Sequence, residues 1–223
     1  MLSRRNKGGT LSSQTLSNKL AQIAAMAAET KDRVLTTLFH HIDEEWLLEA
    51  YRLTRKDGAT GIDKQTAQQY EENLADNLKD LLQRLKSGAY RAPAVRRAWI
   101  PKSDGKLRGL GIPTFEDKIA QRAVTMLLEQ VYEQDFYDCS YGFRPKRSAH
   151  QAIKEVWQQC MSGMHWVIDA DIKACFDNIN HAQLRECVRL RVNDGNVVRT
   201  IGKWLNAGVW EQNRLSYAEQ GTP

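Results

Sequence analysis

Two aspartates two residues apart, and an aromatic and a third aspartate just beyond them, give this chain its clearest chemical potential. They lie in the run 166–181, Trp-Val-Ile-Asp-Ala-Asp-Ile-Lys-Ala-Cys-Phe-Asp-Asn-Ile-Asn-His. Its first seven residues alternate. Trp166, Ile168, Ala170 and Ile172 fall on one side, and Val167, Asp169 and Asp171 on the other. That period is the signature of a half-buried strand, and it predicts two carboxylates on one polar face. Carboxylates so placed suit a hard divalent cation such as Mg²⁺, which takes a few carboxylates together with substrate phosphates. The same spacing also fits a strand whose solvated face is merely acidic. The alternation breaks at Ala174-Cys175, Phe176 and Asp177 follow, and Asn180 with Gln183 reads as a capping box opening a helix.

A second group is cationic. Between Arg91 and Gly111 stand Arg91, Arg96, Arg97, Lys102, Lys106 and Arg108 against a single acid, Asp104. Such an excess suits a polyanion, or a solvated basic face. A third group, Tyr141-Gly-Phe-Arg-Pro-Lys-Arg147, interleaves cations with aromatics as single-stranded nucleic acid requires. Tyr141 and Phe143 serve equally well as residues that pin the loop, and we expect at least one of them to pack. His150 needs no catalytic role, and Trp99 and Trp166 are expected in the core.

Composition sets the frame for these groups. The chain has 223 residues, 42% apolar and 26% charged, with a net charge of +5. It is long enough for a core and one or two domains. Its four cysteines, Cys139, Cys160, Cys175 and Cys187, have neither zinc-site spacing nor a disulfide framework, which predicts a reducing compartment. No apolar run approaches the ~18 residues of a membrane span. The basic start is not followed by a signal-peptide core. We therefore expect a cytoplasmic protein.

The elements that must hold these groups follow in order. Residues 1–14 are Ser/Gly-rich, and we expect disorder there. Helix is expected from Leu16 to about His40, with Val34, Leu35, Leu38 and Phe39 as a second apolar group. Asp43 caps a short helix carrying Trp46, Leu47, Ala50 and Tyr51, and the two glycines of Lys56-Asp-Gly-Ala-Thr-Gly61 end it. One long helix is expected from Lys64 to Lys86, stopped by Gly88. Residues 95–100 and 107–112 read as a hairpin around Ser103-Asp104-Gly105. Thr114 and Ser148 open two further helices, the second with Ala152, Ile153, Val156 and Trp157 inward. Two helices after His181 and a weak hairpin over 209–217 complete the reading.

The string Asp171-Ile-Lys-Ala-Cys-Phe-Asp-Asn-Ile179 resembles the first catalytic motif of reverse transcriptases, most closely those encoded by group II introns. Other blocks follow that family in order. Residues 56–65 resemble the loop that opens a maturase-type extension. Residues 97–114, with Asp117, Lys118 and Gln121, resemble the fingers hairpin and its helix, and residues 141–150 the next block. The resemblance implies an α+β fold, with a basic start and N-terminal helix at 1–40, fingers at 41–135 and an incomplete palm at 136–223. It implies RNA-directed DNA synthesis, coupled to intron mobility and splicing, with Mg²⁺ as cofactor. Partners would be an RNA template, a DNA primer or target and deoxynucleoside triphosphates; a homodimer stays open. It gives Asp171 the catalytic role and, with Ile172, the metal site. It gives Lys102, Arg108 and Phe176 the incoming nucleotide, with Phe176 under its sugar. Lys106, Arg144, Lys146 and Arg147 are assigned to template RNA. The family's second acidic motif, aromatic-Ala-Asp-Asp, has no counterpart here. We therefore expect a fragment that does not polymerise alone. A reverse transcriptase from outside introns, defence-associated or retron-like, and an RNA-binding splicing module without catalysis are the alternatives.

Overall fold

The computed structural model describes residues 8–101 and 105–222, with backbone alone for 8–14. The fold is α+β, as expected. Helix α1 (Gly8–Glu29) leads into a 3-10 turn (Phe39–His41), then α2 (Glu44–Leu53), α3 (Ala67–Glu71) and α4 (Leu74–Ser87). A hairpin of β1 (Val95–Pro101) and β2 (Leu107–Ile112) precedes α5 (Phe115–Tyr132) and α6 (Ala149–Met161). A second 3-10 turn (Phe176–Asn178) is followed by α7 (His181–Arg189), α8 (Gly195–Leu205), β3 (Val209–Glu211) and β4 (Arg214–Ser216).

The core is helical and centres on α5. Ile119, Ala120, Ala123, Leu127 and Val131 are fully buried there, against Leu38, Trp46, Leu47, Leu81 and Val197 from the surrounding elements. A buried indole needs a partner for its N–H, and Trp46 donates to the Ala123 carbonyl at 3.0 Å. Two charged residues tie the chain's ends together. Arg191 is 8% exposed, pairs with Asp135 at 2.7 Å, and donates to the carbonyls of Ala27, Thr30 and Arg33. Asp194 caps α8 through Asn196 and Val197 and also accepts from the amides of Leu38 and Phe39. Burial raises the Asp194 pKa, but these four N–H groups outweigh it and hold the carboxyl below its ordinary value.

The capping signals agree with the structure except at Asn180, which caps α7 through the amides of Ala182 and Gln183 without the return bond that would complete a capping box. Asp43 accepts from Trp46, Thr114 from Asp117, Ser148 forms a full capping box with Gln151, and Gly88 ends α4 in the left-handed conformation. Several expected elements differ. Helix starts at Gly8 rather than Leu16, because a helix anchored by Leu16, Ile23 and Ala27 extends backward one hydrogen bond per residue. It stops at Glu29, since Leu35 pairs instead with the chain at Val192, its N–H donating to the Arg191 carbonyl at 2.9 Å. The expected long helix is two helices. A turn at Glu72-Asn73 separates them, and the Asn77 side chain donates to the Tyr70 carbonyl that the break releases.

The largest correction is at the centre. Residues 165–172 form no strand, and their apolar side is uncovered, with Trp166 and Ile168 each 95% exposed. Helix α6 buries no residue, so Ile153, Val156 and Trp157 face outward rather than inward. A strand exists only where a neighbour completes its hydrogen bonds, and among the described residues none runs alongside this one. The expected disorder of residues 1–7 and the turn at Ser103-Asp104 lie outside the described residues.

Candidate nucleotide and nucleic-acid site

The hairpin is positioned by its roots. Arg96 in β1 donates twice to the Thr60 carbonyl, at 3.0 and 2.7 Å, and Lys118 in α5 donates to Ala59 at 2.6 Å. Together they clamp the 56–61 loop beneath β1. Gly61 makes that possible: a Cβ there would sit 2.5 Å from the Thr114 Cα. On its other edge β1 pairs in parallel with β3, Val95 opposite Val209, giving the sheet order β2-β1-β3-β4. The β3–β4 hairpin turns through Gln212 and Asn213, both at positive φ, as a tight hairpin demands.

Trp99 and Arg97 lie across the glycines of β2. The register sets Trp99 opposite Gly109 and Arg97 opposite Gly111, and the Arg97 guanidinium lies 5.9 Å from the Trp99 ring. Trp99 is therefore half exposed, not in the core; its indole donates to Glu211 at 2.6 Å, bridging β1 to β3.

Beside this surface lies the turn that carries Phe176. Ala174 enters it at φ 49°, where the alternating pattern breaks. The turn is held from the far end of the chain. The Gly221 N–H donates to Ile179, the Thr222 N–H donates to Phe176, and the ring of His181 meets the Gly221 carbonyl at 2.6 Å. Gly221, at φ 85°, packs so closely that a Cβ would fall 2.8 Å from the Asp177 carbonyl oxygen.

Hairpin and turn together enclose an open cleft of about 770 Å³. Arg97, Trp99 and Arg108 line it from the hairpin, and Cys175, Phe176 and Asp177 from the turn, with Glu211 and Thr222 between. Two residues singled out for the nucleotide, Arg108 and Phe176, thus share one cavity although 68 positions separate them in sequence. Arg97, Trp99 and Glu211 escaped notice as site residues. The alternation of β1 against two glycines was the available signal for Arg97 and Trp99; nothing local marks Glu211.

The other expected residues are placed as follows. Asp171 and Ile172 are exposed and do not line the cleft. Lys102 lies outside the described residues, and Lys106 is exposed near the hairpin's tip. Arg144 is not offered to solvent. Its side chain is 6% exposed, pairs with Glu133 at 3.2 Å, donates to the carbonyls of Tyr137 and Ser140, and covers the Phe136 ring. It works as the clamp of its own loop. Arg147 pairs with Asp138 and stacks 5.5 Å from Tyr141, so Tyr141 packs while Phe143 points fully outward. Lys146 is exposed, at φ 60°.

For a divalent metal, the donor chemistry fits but the donor number does not. The Asp171 carboxylate and the Ile172 carbonyl are hard oxygens, yet no three metal-ligating side chains converge among the described residues. Among those residues, too, no helix is long and apolar enough to cross a membrane.

Residues 100–223 match the family model of reverse transcriptase (RNA-dependent DNA polymerase), so the match includes both the β2 side of the cleft and the Phe176 turn. The chain belongs to the reverse transcriptase family. It is similar to the group II intron-encoded protein LtrA of Lactococcus lactis subsp. cremoris, 37% identical over 209 residues, which are 92% of this chain and 34% of LtrA. It is also similar to protein YkfC of Escherichia coli strain K12, 36% identical over 216 residues, 93% of this chain and 57% of YkfC. An uncharacterized 91 kDa protein in a cob intron of Schizosaccharomyces pombe is 38% identical over 148 residues, 66% of this chain and 18% of that protein. The chain thus spans about a third of LtrA and somewhat over half of YkfC. Reverse transcriptases as a family use a divalent metal and act on nucleic acid.

Proposed function

We propose that this chain forms the fingers and first part of the palm of a group II intron-type reverse transcriptase, a cytoplasmic enzyme of intron mobility and splicing. The observation that carries this is the cleft that Arg108 and Phe176 both line. A triphosphate needs fixed positive charge where charge develops during phosphoryl transfer, and Arg108, joined by Arg97, supplies it at the hairpin wall. Phe176 at the opposite wall is a flat apolar surface for the nucleotide's sugar, where an added 2′-hydroxyl meets a ring and not a partner. The resemblance assigns Lys102 to the same triphosphate.

Asp171 and the Ile172 carbonyl would help to hold Mg²⁺, together with further oxygens that the described residues do not gather there. When bound, the ion supplies charge neutralisation at the transferred phosphate. Lys106 and Lys146 are exposed on the hairpin and the 141–147 loop, where they can pair with template phosphates; Arg147, held by Asp138 and Tyr141, would have to exchange its carboxylate for a phosphate, and Phe143 beside them offers a base-stacking face. Arg144 shapes that loop instead of touching RNA.

The test uses the chain extended through a second acidic motif and a thumb. Asp171→Asn should lower DNA synthesis by several orders of magnitude while leaving RNA affinity unchanged. Phe176→Ala should keep deoxynucleotide incorporation and admit ribonucleotides. Asp169→Asn is the control, and equal damage from it would remove the assignment to Asp171.

A further inference from the structure

A second cationic recess lies away from this cleft, between α7 and α8. It encloses about 480 Å³ and is lined by Arg185 and Arg189 of α7 and Arg199 and Lys203 of α8, with Asn193 and Asn206 and no carboxylate. In each helix the two cations are four residues apart, on one face and roughly 6 Å from each other. Like charges at that spacing work against a helix unless an anion lies between them.

The cations are held in place rather than loose. The stem of Arg185 rests on Gly202, 3.6 Å from where a Cβ would be, and its buried Nε has no partner among the described residues. Arg199 bonds Asn196 at 3.1 Å, and Lys203 donates to the carbonyls of Gly88 and Tyr90 at 2.6 and 2.5 Å. Burial first, then the like charges of Arg199 and Arg91, lower the Lys203 pKa, which marks a crowded positive field. Only Arg189 of the four has an acidic partner among the described residues, Glu186 on its own helix, and an exposed pair of that kind yields readily to a better anion.

We propose that this groove grips the phosphate backbone of RNA, as a contact separate from the template path over the fingers. The lining favours RNA over an acidic protein. It offers guanidinium forks, an ammonium and two amides but only Val198 as an apolar side chain, and a protein partner would need an apolar centre. The inference rests on the RNA-binding reading of the preceding subsection.

The experiment is fluorescence anisotropy of the full chain with a mixed-sequence RNA hairpin, between about 50 and 200 mM salt. Arg189→Gln with Arg199→Gln removes two exposed cations and leaves Lys203 and its carbonyl partners intact; an unchanged melting temperature verifies the fold. Affinity should fall on the order of tenfold or more, and the salt slope by roughly two. Lys106→Gln with Lys146→Gln, on the fingers side, should weaken binding additively with it. Wild-type binding with no loss in the Arg189/Arg199 variant overturns the groove and leaves the template reading standing. No RNA binding by the wild type overturns both. Displacement of the RNA by polyglutamate of equal charge as readily as by unlabelled RNA overturns the assignment to nucleic acid.

Discussion

Asp117 shows how a single residue can join α5 to α8 and make the joint sensitive to pH. It sits on α5, 2% exposed, and receives the Tyr90 hydroxyl, the Trp204 indole at 2.8 Å and the Gln121 amide at 2.9 Å. Burial pushes its pKa up to about 6, although the Trp204 and Gln121 hydrogen bonds pull the other way. In the unfolded chain the carboxyl ionises near 4. The folded state therefore holds the proton more tightly, and this group's contribution is fully present below pH 4. It is lost as pH rises through about 6, at a cost of about 3 kcal/mol, from two pKa units at 1.36 kcal/mol each. Asp117→Asn keeps an acceptor for Tyr90 and Trp204, and Gln121 can turn its oxygen to the new amide. The variant should be the more stable one above pH 7, and its melting temperature should lack the wild type's decline between pH 4 and 6. Parallel declines in both proteins would show that burial does not govern this carboxyl.

At the scale of elements, the helices divide into those that are packed and one that is not. Helix α2 places Trp46 fully inside, whereas α6 turns Trp157 61% outward and buries none of its residues. Trp46→Ala should cost about 3 to 5 kcal/mol, because it opens a cavity and removes the indole's hydrogen bond to the Ala123 carbonyl. Trp157→Ser should change stability by less than about 0.5 kcal/mol, as surface substitutions do. Denaturant titration of both variants decides this, and a Trp157→Ser loss comparable to that of Trp46→Ala would mean that α6 is covered in solution. The apolar stripe of α6 was legible in the sequence; what it faces was not. Periodicity records that one side is apolar, and only a partner determines whether that side is inside.

For the molecule as a whole, the same openness bears on activity. The cleft has its cations and its aromatic, yet the carboxylate of Asp171 stands on an uncovered segment, and no three metal-ligating side chains gather around it among the described residues. We expect the purified chain to give no primer extension with Mg²⁺ and deoxynucleotides, because one carboxylate cannot hold the metals that nucleotidyl transfer needs. Template-dependent extension by this chain would show that a complete acid set assembles after all.

The sequence by itself determined the α+β class, the helix starts at Asp43, Thr114, Ser148 and Asn180, the 95–112 hairpin and the family. These depend on short-range chemistry: a side chain reaching an amide three residues on, a turn, or a string of residues in order. Tertiary structure alone decided that Arg108 and Phe176 share a cavity and that Glu211 joins it, since the parallel pairing of β1 with β3 brings Glu211 to the hairpin and the bonds from Gly221 and Thr222 hold the Phe176 turn. It also decided that Arg144 belongs to its own loop, because Glu133 and two carbonyls surround it on all sides a cation can use. And it left Trp166 in solvent where alternation predicts burial. A repeat of two states which residues share a face, but a strand forms only when another backbone takes up its hydrogen bonds.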